Sequence, residues 1–316
     1  MSGRAARGPS AGPRAAGAPF RGASGGGALA LLAALGCSRP ASEPGAGAAA
    51  AAPEPAPSAG PAAPEAAAPG VSSAPGASSA PAALPPLARG PFAALPVEGY
   101  AEAVVSLPSG ATGPRPVLVA AHGNYDTPEW QCRVWREAVG ARGFVVCPRG
   151  VPRRDSPSRD DVRYEYASGA ALERELDAAL GALARAYAGY VDGEAVIYTG
   201  FSLGANMGSG IIRRRPKQFP RAVLIEGGSA WAAGAAAAYA KGGGARLLWA
   251  CGQPGCVQSS ERSAASFVKA GGAARVVHAK GAGHTYDGPV AERVRGAFDW
   301  LVEGDARWSG GAPATE

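Results

Sequence analysis

The chain has little of what several common functions require. Its longest signal-like apolar run, Ala28 to Leu35, has eight residues, against the roughly 20 a membrane-spanning helix needs. It has no Cys-x-x-Cys spacing, and His122, His278 and His284 lie far in sequence from the cysteines, which argues against a zinc site. No Gly-x-Gly-x-x-Gly follows the first strand of the body, and no phosphate-binding lysine motif occurs, so the usual nucleotide cradles are missing. Basic charge is not concentrated on any segment of the body. Of the net +6, four charges are Arg4, Arg7, Arg14 and Arg21 near the N-terminus, leaving about +2 for the rest. The other arginines are interspersed with acids, so no nucleic-acid face is marked. No cofactor and no metal are expected.

The first 95 residues are also poor in aromatics, with two, and consist almost entirely of Ala, Pro, Gly, Ser and Arg. Such a stretch cannot bury enough apolar surface to offset the entropy of ordering it. It begins with the four arginines, then the apolar run, then Gly36-Cys37-Ser38, the layout of an export signal. The cysteine after a small residue resembles the lipobox of bacterial lipoproteins, although Ala34 stands where Leu is usual and Leu35 where a small residue is usual. The resemblance implies cleavage within 1–37, lipidation of Cys37 and a membrane-anchored protein facing the periplasm or cell surface. The alternatives are an ordinary cleaved signal, and hence a secreted protein, or a mis-called start codon. Residues 38–95 are then a disordered tether.

Four cysteines remain: Cys132, Cys147, Cys251 and Cys256. An even number in an exported chain suggests disulfides. Adjacency favours Cys132–Cys147 and Cys251–Cys256, although four cysteines allow three pairings.

From about residue 96 the text changes. "AEAVVSL", "RPVLVAAHG", "GFVVCPRG", "EAVIYTGFS", "RAVLIEGG", "ARLLWACG" and "ARVVHAKG" are short apolar or β-branched runs, most of them ending in glycine. Continuous apolar strands are buried on both faces, as in parallel sheets. Helical stretches lie between them, at 127–142, 168–189, 203–214, 231–240, 258–270 and 289–303. The alternation predicts an α/β fold with a doubly wound, mostly parallel sheet over 96–305 and a flexible tail at 306–316. Fewer than 20 residues separate Glu226 from the next strand, which excludes a large cap domain there. In such sheets ligands bind beyond the carboxyl ends of the strands. His122-Gly123-Asn124, Ser202, Glu226 and His284 all fall on that edge.

Ser202 is the centre of a Gly-x-Ser-x-Gly, but so are Ser10 and Ser24 in the low-complexity leader. Context separates them. A strand, "AVIYTG", leads into Ser202, and "LGANMGSGII" continues as a helix, the setting a nucleophile elbow requires. Here the sequence resembles the α/β-hydrolase superfamily, especially small bacterial serine esterases, over about 110–303. The resemblance implies a serine hydrolase acting on a small-molecule ester. Ser202 would be its nucleophile and His284, in "KGAGHTYDG", its base. The backbone amides of Leu203 and of Gly123 or Asn124 would form the oxyanion hole. His122 would support that loop, and His278 would pack within or at the edge of the last strand.

The acid departs from the family pattern. The loop after the penultimate strand reads "CGQPGCVQSS", with no carboxylate before Glu261. Glu226, which ends the strand after the nucleophile strand, is favoured, because a glutamate half inside an apolar element needs a specific partner. Asp287, or an arrangement without a carboxylate, stays open. So do a serine peptidase on the same triad and an inactive lipoprotein that kept the fold. The longest irregular loop, 148–168, carries arginines and aspartates that either contact substrate or neutralise one another.

Overall fold

The computed structural model describes residues 84–87, 90 and 92–310. The export signal with Cys37, most of the tether and the tail from 311 lie outside the described residues.

Among the described residues ten strands and six α-helices form. The strands are β1 (Phe92–Leu95), β2 (Ala103–Ser106), β3 (Arg115–Ala121), β4 (Phe144–Cys147), β5 (Val151–Pro152), β6 (Tyr164–Glu165), β7 (Val191–Phe201), β8 (Arg221–Ile225), β9 (Arg246–Cys251) and β10 (Ala273–His278). The helices are α1 (Pro128–Val139), α2 (Gly169–Ala186), α3 (Leu203–Arg214), α4 (Ala233–Lys241), α5 (Pro254–Lys269) and α6 (Gly288–Val302). Eight strands make one sheet in the order β1-β2-β4-β3-β7-β8-β9-β10. From β4 to β10 all neighbours are parallel. β2 runs antiparallel to both β1 and β4. Among the described residues no helix is long and apolar enough to cross a membrane.

Period-two alternation sorts the strand residues onto two cores. Val117, Val119 and Ala121 belong to the core that includes residues of α2, α3, α4 and α5, while Leu118 and Ala120 belong to the one that includes residues of α1 and α6. Both faces are covered, so the inner strands are largely apolar beyond their first residues. Helix starts follow local chemistry: the Thr127 hydroxyl accepts the Trp130 N–H at the head of α1, and Ser168 does the same for Ala171 at the head of α2.

The chain leaves β3 to build β4 on one side, then returns to build β7 on the other. The loops after β3 and β7 therefore diverge from adjacent strand ends, which opens a crevice at the carboxyl edge. Registers keep that edge level: Ala121 pairs with Gly200, Phe201 with Ile225, and Ile225 with Ala250.

Two boundaries differ from the sequence reading. β1 lies inside the stretch expected to be disordered, and Leu84 and Leu87 donate N–H groups to the carbonyls of Thr112 and Ala111. Its "FAAL" is too short to show periodicity, and antiparallel pairing with β2 supplies what composition could not. At the other end Trp308, inside the expected tail, is buried against Phe298 with ring centroids 5.6 Å apart. With the Arg307–Asp192 ion pair beside it, Trp308 docks the described part of this segment.

Candidate active site

Ser202 is the single residue between β7 and α3. Its backbone, at φ 49° and ψ −107°, is one that non-glycine residues rarely adopt. Neighbouring chain holds it there: the Ser202 N–H donates to Ile225 O at 2.9 Å, and its carbonyl accepts the Asn206 N–H at 2.9 Å. The flanking glycines are needed for space. A Cβ on Gly200 would lie 2.6 Å from the backbone of Gly204, and one on Gly204 would overlap the Ala121 carbonyl. The turn thus brings α3 directly onto β3 and β7, with its first amides and positive dipole end beside the Ser202 hydroxyl.

Glu226 occupies the corresponding position one strand over, immediately after β8 and also at positive φ, 51°. Its N–H donates to Ala250 O at 3.0 Å. The side chain is 1% exposed. Oε1 accepts the N–H groups of Gly252 and, at 3.0 Å, of Gln253. Those amides head α5, so the carboxylate sits at a helix N-terminus. The Cys251–Cys256 disulfide joins the end of β9 to the first turn of α5, with a Cα separation of 5.6 Å. The loop after β9 brings no carboxylate of its own and supplies amides to one from the neighbouring strand.

His284 follows β10 in a loop with Gly281 and Gly283 at positive φ. Gly252 lets this loop close in, since a Cβ there would overlap the Gly283 carbonyl. His284 Nε2 lies 2.8 Å from Ser202 Oγ, and Nδ1 lies 3.2 Å from Glu226 Oε2. The Phe201 ring packs against the imidazole at 5.0 Å. With a carboxylate beside Nδ1, the tautomer protonated there leaves Nε2 to accept the serine proton. His284 is 46% exposed, and only α4 separates β8 from β9, so the crevice is open on that side.

The remaining candidates are separated from this line. Asp287 accepts the Thr285 hydroxyl at the head of α6, and Glu261 is exposed on α5. His122 is buried with Nδ1 2.7 Å from Gly123 O and Nε2 2.9 Å from Arg149 O, stacked on Tyr166 at 4.5 Å. It supports the loop after β3. His278 is half-buried on β10, an edge strand.

Of the expected amide donors, Gly123 is engaged: its N–H donates to Asp126 Oδ2 at 3.4 Å. Among the described residues, the N–H groups of Leu203 and Asn124 have no protein acceptor. The loop abuts the serine, because a Cβ on Gly123 would lie 3.5 Å from Ser202 Cβ. The irregular loop 148–168 contains the β5–β6 hairpin. Its charges largely pair among themselves, Arg153 with Asp155 and Glu165, and Arg163 with Asp161. Arg153 also donates to Asn124 Oδ1 at 2.7 Å. Sequence reasoning missed Asp126, Tyr286 and the Gly252 and Gln253 amides. The lone aspartate in "HGNYDT" was the available signal for the first; backbone amides leave none.

Cys132–Cys147 is also formed, joining α1 to β4. Glu226 and the sulfurs of Cys251 and Cys256 place donor atoms within 4.8 Å of one another, but the two sulfurs are bonded to each other and offer no thiolate.

No protein-family model matches the sequence, and no curated protein matches it either. Solved structures do. A Bacillus cereus carboxylesterase is 18% identical, over 63% of this chain and 93% of its own, with a TM-score of 0.44. A thermostable esterase from Pseudomonas putida is 15% identical, over 71% and 83%, with a TM-score of 0.45. A dienelactone hydrolase-like promiscuous phosphotriesterase from metagenomic libraries is 17% identical, over 67% and 99%, with a TM-score of 0.46. The chain's own strand order, its antiparallel second strand and its strand–turn–helix at Ser202 are those of the α/β-hydrolase fold.

Proposed function

We propose that the protein is a serine hydrolase that cleaves small carboxylic esters through an acyl-enzyme on Ser202. One observation carries the reading: Glu226, His284 and Ser202 form an unbroken hydrogen-bonded line of 3.2 and 2.8 Å. In this reading His284 Nε2 takes the Ser202 proton as Oγ attacks the ester carbonyl. Glu226 holds Nδ1–H and balances the imidazolium that forms. The Leu203 and Asn124 amides receive the developing oxyanion. His284 then returns the proton to the departing alcohol, and a water repeats the sequence to free the acid. The chain order Ser202, Glu226, His284 matches the order of nucleophile, acid and base in this fold.

The two disulfides support a working place outside the reducing cytoplasm. With the arginine-rich, apolar, Cys37-bearing leader, they favour an exported protein held to a membrane by a lipid on Cys37.

The test is covalent labelling by a fluorophosphonate, run beside hydrolysis of a short-chain nitrophenyl ester. Ser202→Ala is expected to abolish both while the far-UV spectrum stays unchanged. Wild-type turnover in the alanine variant would end the proposal.

A further inference from the structure

Asp126 is a carboxylate where a solvated loop would not need one. It is 5% exposed and collects three donors. Oδ1 accepts the Thr127 N–H at 2.8 Å and the Tyr286 hydroxyl at 3.1 Å, and Oδ2 accepts the Gly123 N–H at 3.4 Å. The first and last belong to the loop after β3. Tyr286 belongs to the loop after β10, two residues beyond His284, and its ring packs on Phe201 at 4.7 Å. Burial, with the Asp126 charge beside it, pushes the Tyr286 hydroxyl well above the usual phenol range, so it remains a donor.

The backbone is bent to make this possible. Tyr125 has φ 63°, which folds the chain back so that the Asp126 side chain reaches Gly123. Asn124 is then bracketed: the Gly123 N–H donates to Asp126, the Asn124 side-chain oxygen accepts from Arg153, and the Tyr125 N–H donates to Tyr164 O at 3.1 Å. The Asn124 amide is left as the unengaged donor of that turn, next in sequence to Gly123, whose added Cβ would lie 3.5 Å from Ser202 Cβ.

We propose that Asp126 is a positioning residue of the acyl-transfer site. Its carboxylate fixes the turn that presents the Asn124 N–H and, through the Tyr286 hydroxyl, ties that turn to the loop carrying His284. The proposal rests on the serine hydrolase reading above. The Asn124 donor and the base come from loops far apart in the chain, after β3 and after β10, and Asp126–Tyr286 is a link that sets their spacing. Losing it affects the transition state more than ground-state binding.

The experiment measures kcat and KM of the full chain for an ester and for the matching thionoester. Sulfur is the poorer acceptor, so the preference for oxygen reports on the amide donors themselves, which a purely structural role would leave unchanged. Tyr286→Phe, which removes one hydroxyl, is expected to lower kcat by about tenfold with KM within about twofold, and Asp126→Asn by about 100-fold. Both should cut the ester-to-thionoester ratio of kcat/KM by about tenfold, and the double variant should lose no more than Asp126→Asn alone. If Asp126→Asn does not fold, Tyr286→Phe decides. Wild-type kcat and an unaltered ratio in Tyr286→Phe, or losses that multiply in the double variant, overturn the proposal while the hydrolase reading stands. Absence of any turnover or phosphonate labelling by the wild-type chain removes the hydrolase reading itself, and the proposal with it.

Discussion

At the scale of single residues, Glu226 shows how one side chain can meet two demands. A buried carboxylate must have partners or lose its charge, and it must still face the imidazole. The two oxygens divide the work, Oε1 on the Gly252 and Gln253 amides and Oε2 on His284. Glutamine keeps the shape but cannot serve both sides. Its amide group must present N–H either to the two backbone donors or to the Nδ1–H of His284. Glu226→Gln is therefore expected to lower turnover by about 10³ to 10⁴, measured as kcat on the nitrophenyl ester. Asp287→Asn and Glu261→Gln should cost far less, because neither carboxylate hydrogen-bonds His284. A large loss in Asp287→Asn with a small one in Glu226→Gln would reassign the acid.

Elements position these residues through close backbone approach. α3 packs on β7 so tightly that a Cβ on Gly208 would run into the Tyr198 ring, whose hydroxyl donates to Gly204 O at 2.7 Å. Gly208→Ala should then destabilise by about 1–3 kcal/mol by overpacking. It should also disturb the elbow, because Tyr198 cannot move without releasing Gly204. Urea unfolding together with the rate of phosphonate labelling would show both effects. A stable variant with an unchanged labelling rate contradicts this. These elements were largely legible in sequence. All seven expected sheet strands form, and α3 covers the expected 203–214. The elbow was readable because strand, glycine, serine and helix are consecutive. β1 and the β5–β6 hairpin were not, since two to four residues carry no periodicity. The Gly252 and Gln253 partners of Glu226 were hidden because they are main-chain atoms, and the Asp126–Tyr286 link because its ends are 160 residues apart.

On the scale of the molecule, two covalent staples divide between stability and site. Cys132–Cys147 spans 15 residues and should contribute about 3 kcal/mol. Replacing that pair with alanines should lower the unfolding midpoint and leave kcat nearly intact. Cys251–Cys256 closes only five residues, so its loss should appear in activity, by loosening the amides that hold Glu226. Thiol titration of the unfolded, unreduced chain should find none of these four sulfurs free. Four free thiols would remove the argument for an oxidising compartment. The turn at Ser202 has a last consequence, for the durability of the folded state. Its φ and ψ are those of the first central position of a type II′ turn, a place that belongs to glycine. Alanine there would keep the backbone penalty, whereas glycine would release it, by about 1 kcal/mol. Ser202→Gly should therefore melt above both Ser202→Ala and the wild-type protein, and be inert towards esters. One atom group away lies a sturdier protein that does nothing, and the serine holds the chain in a shape that thermal stability alone would not choose.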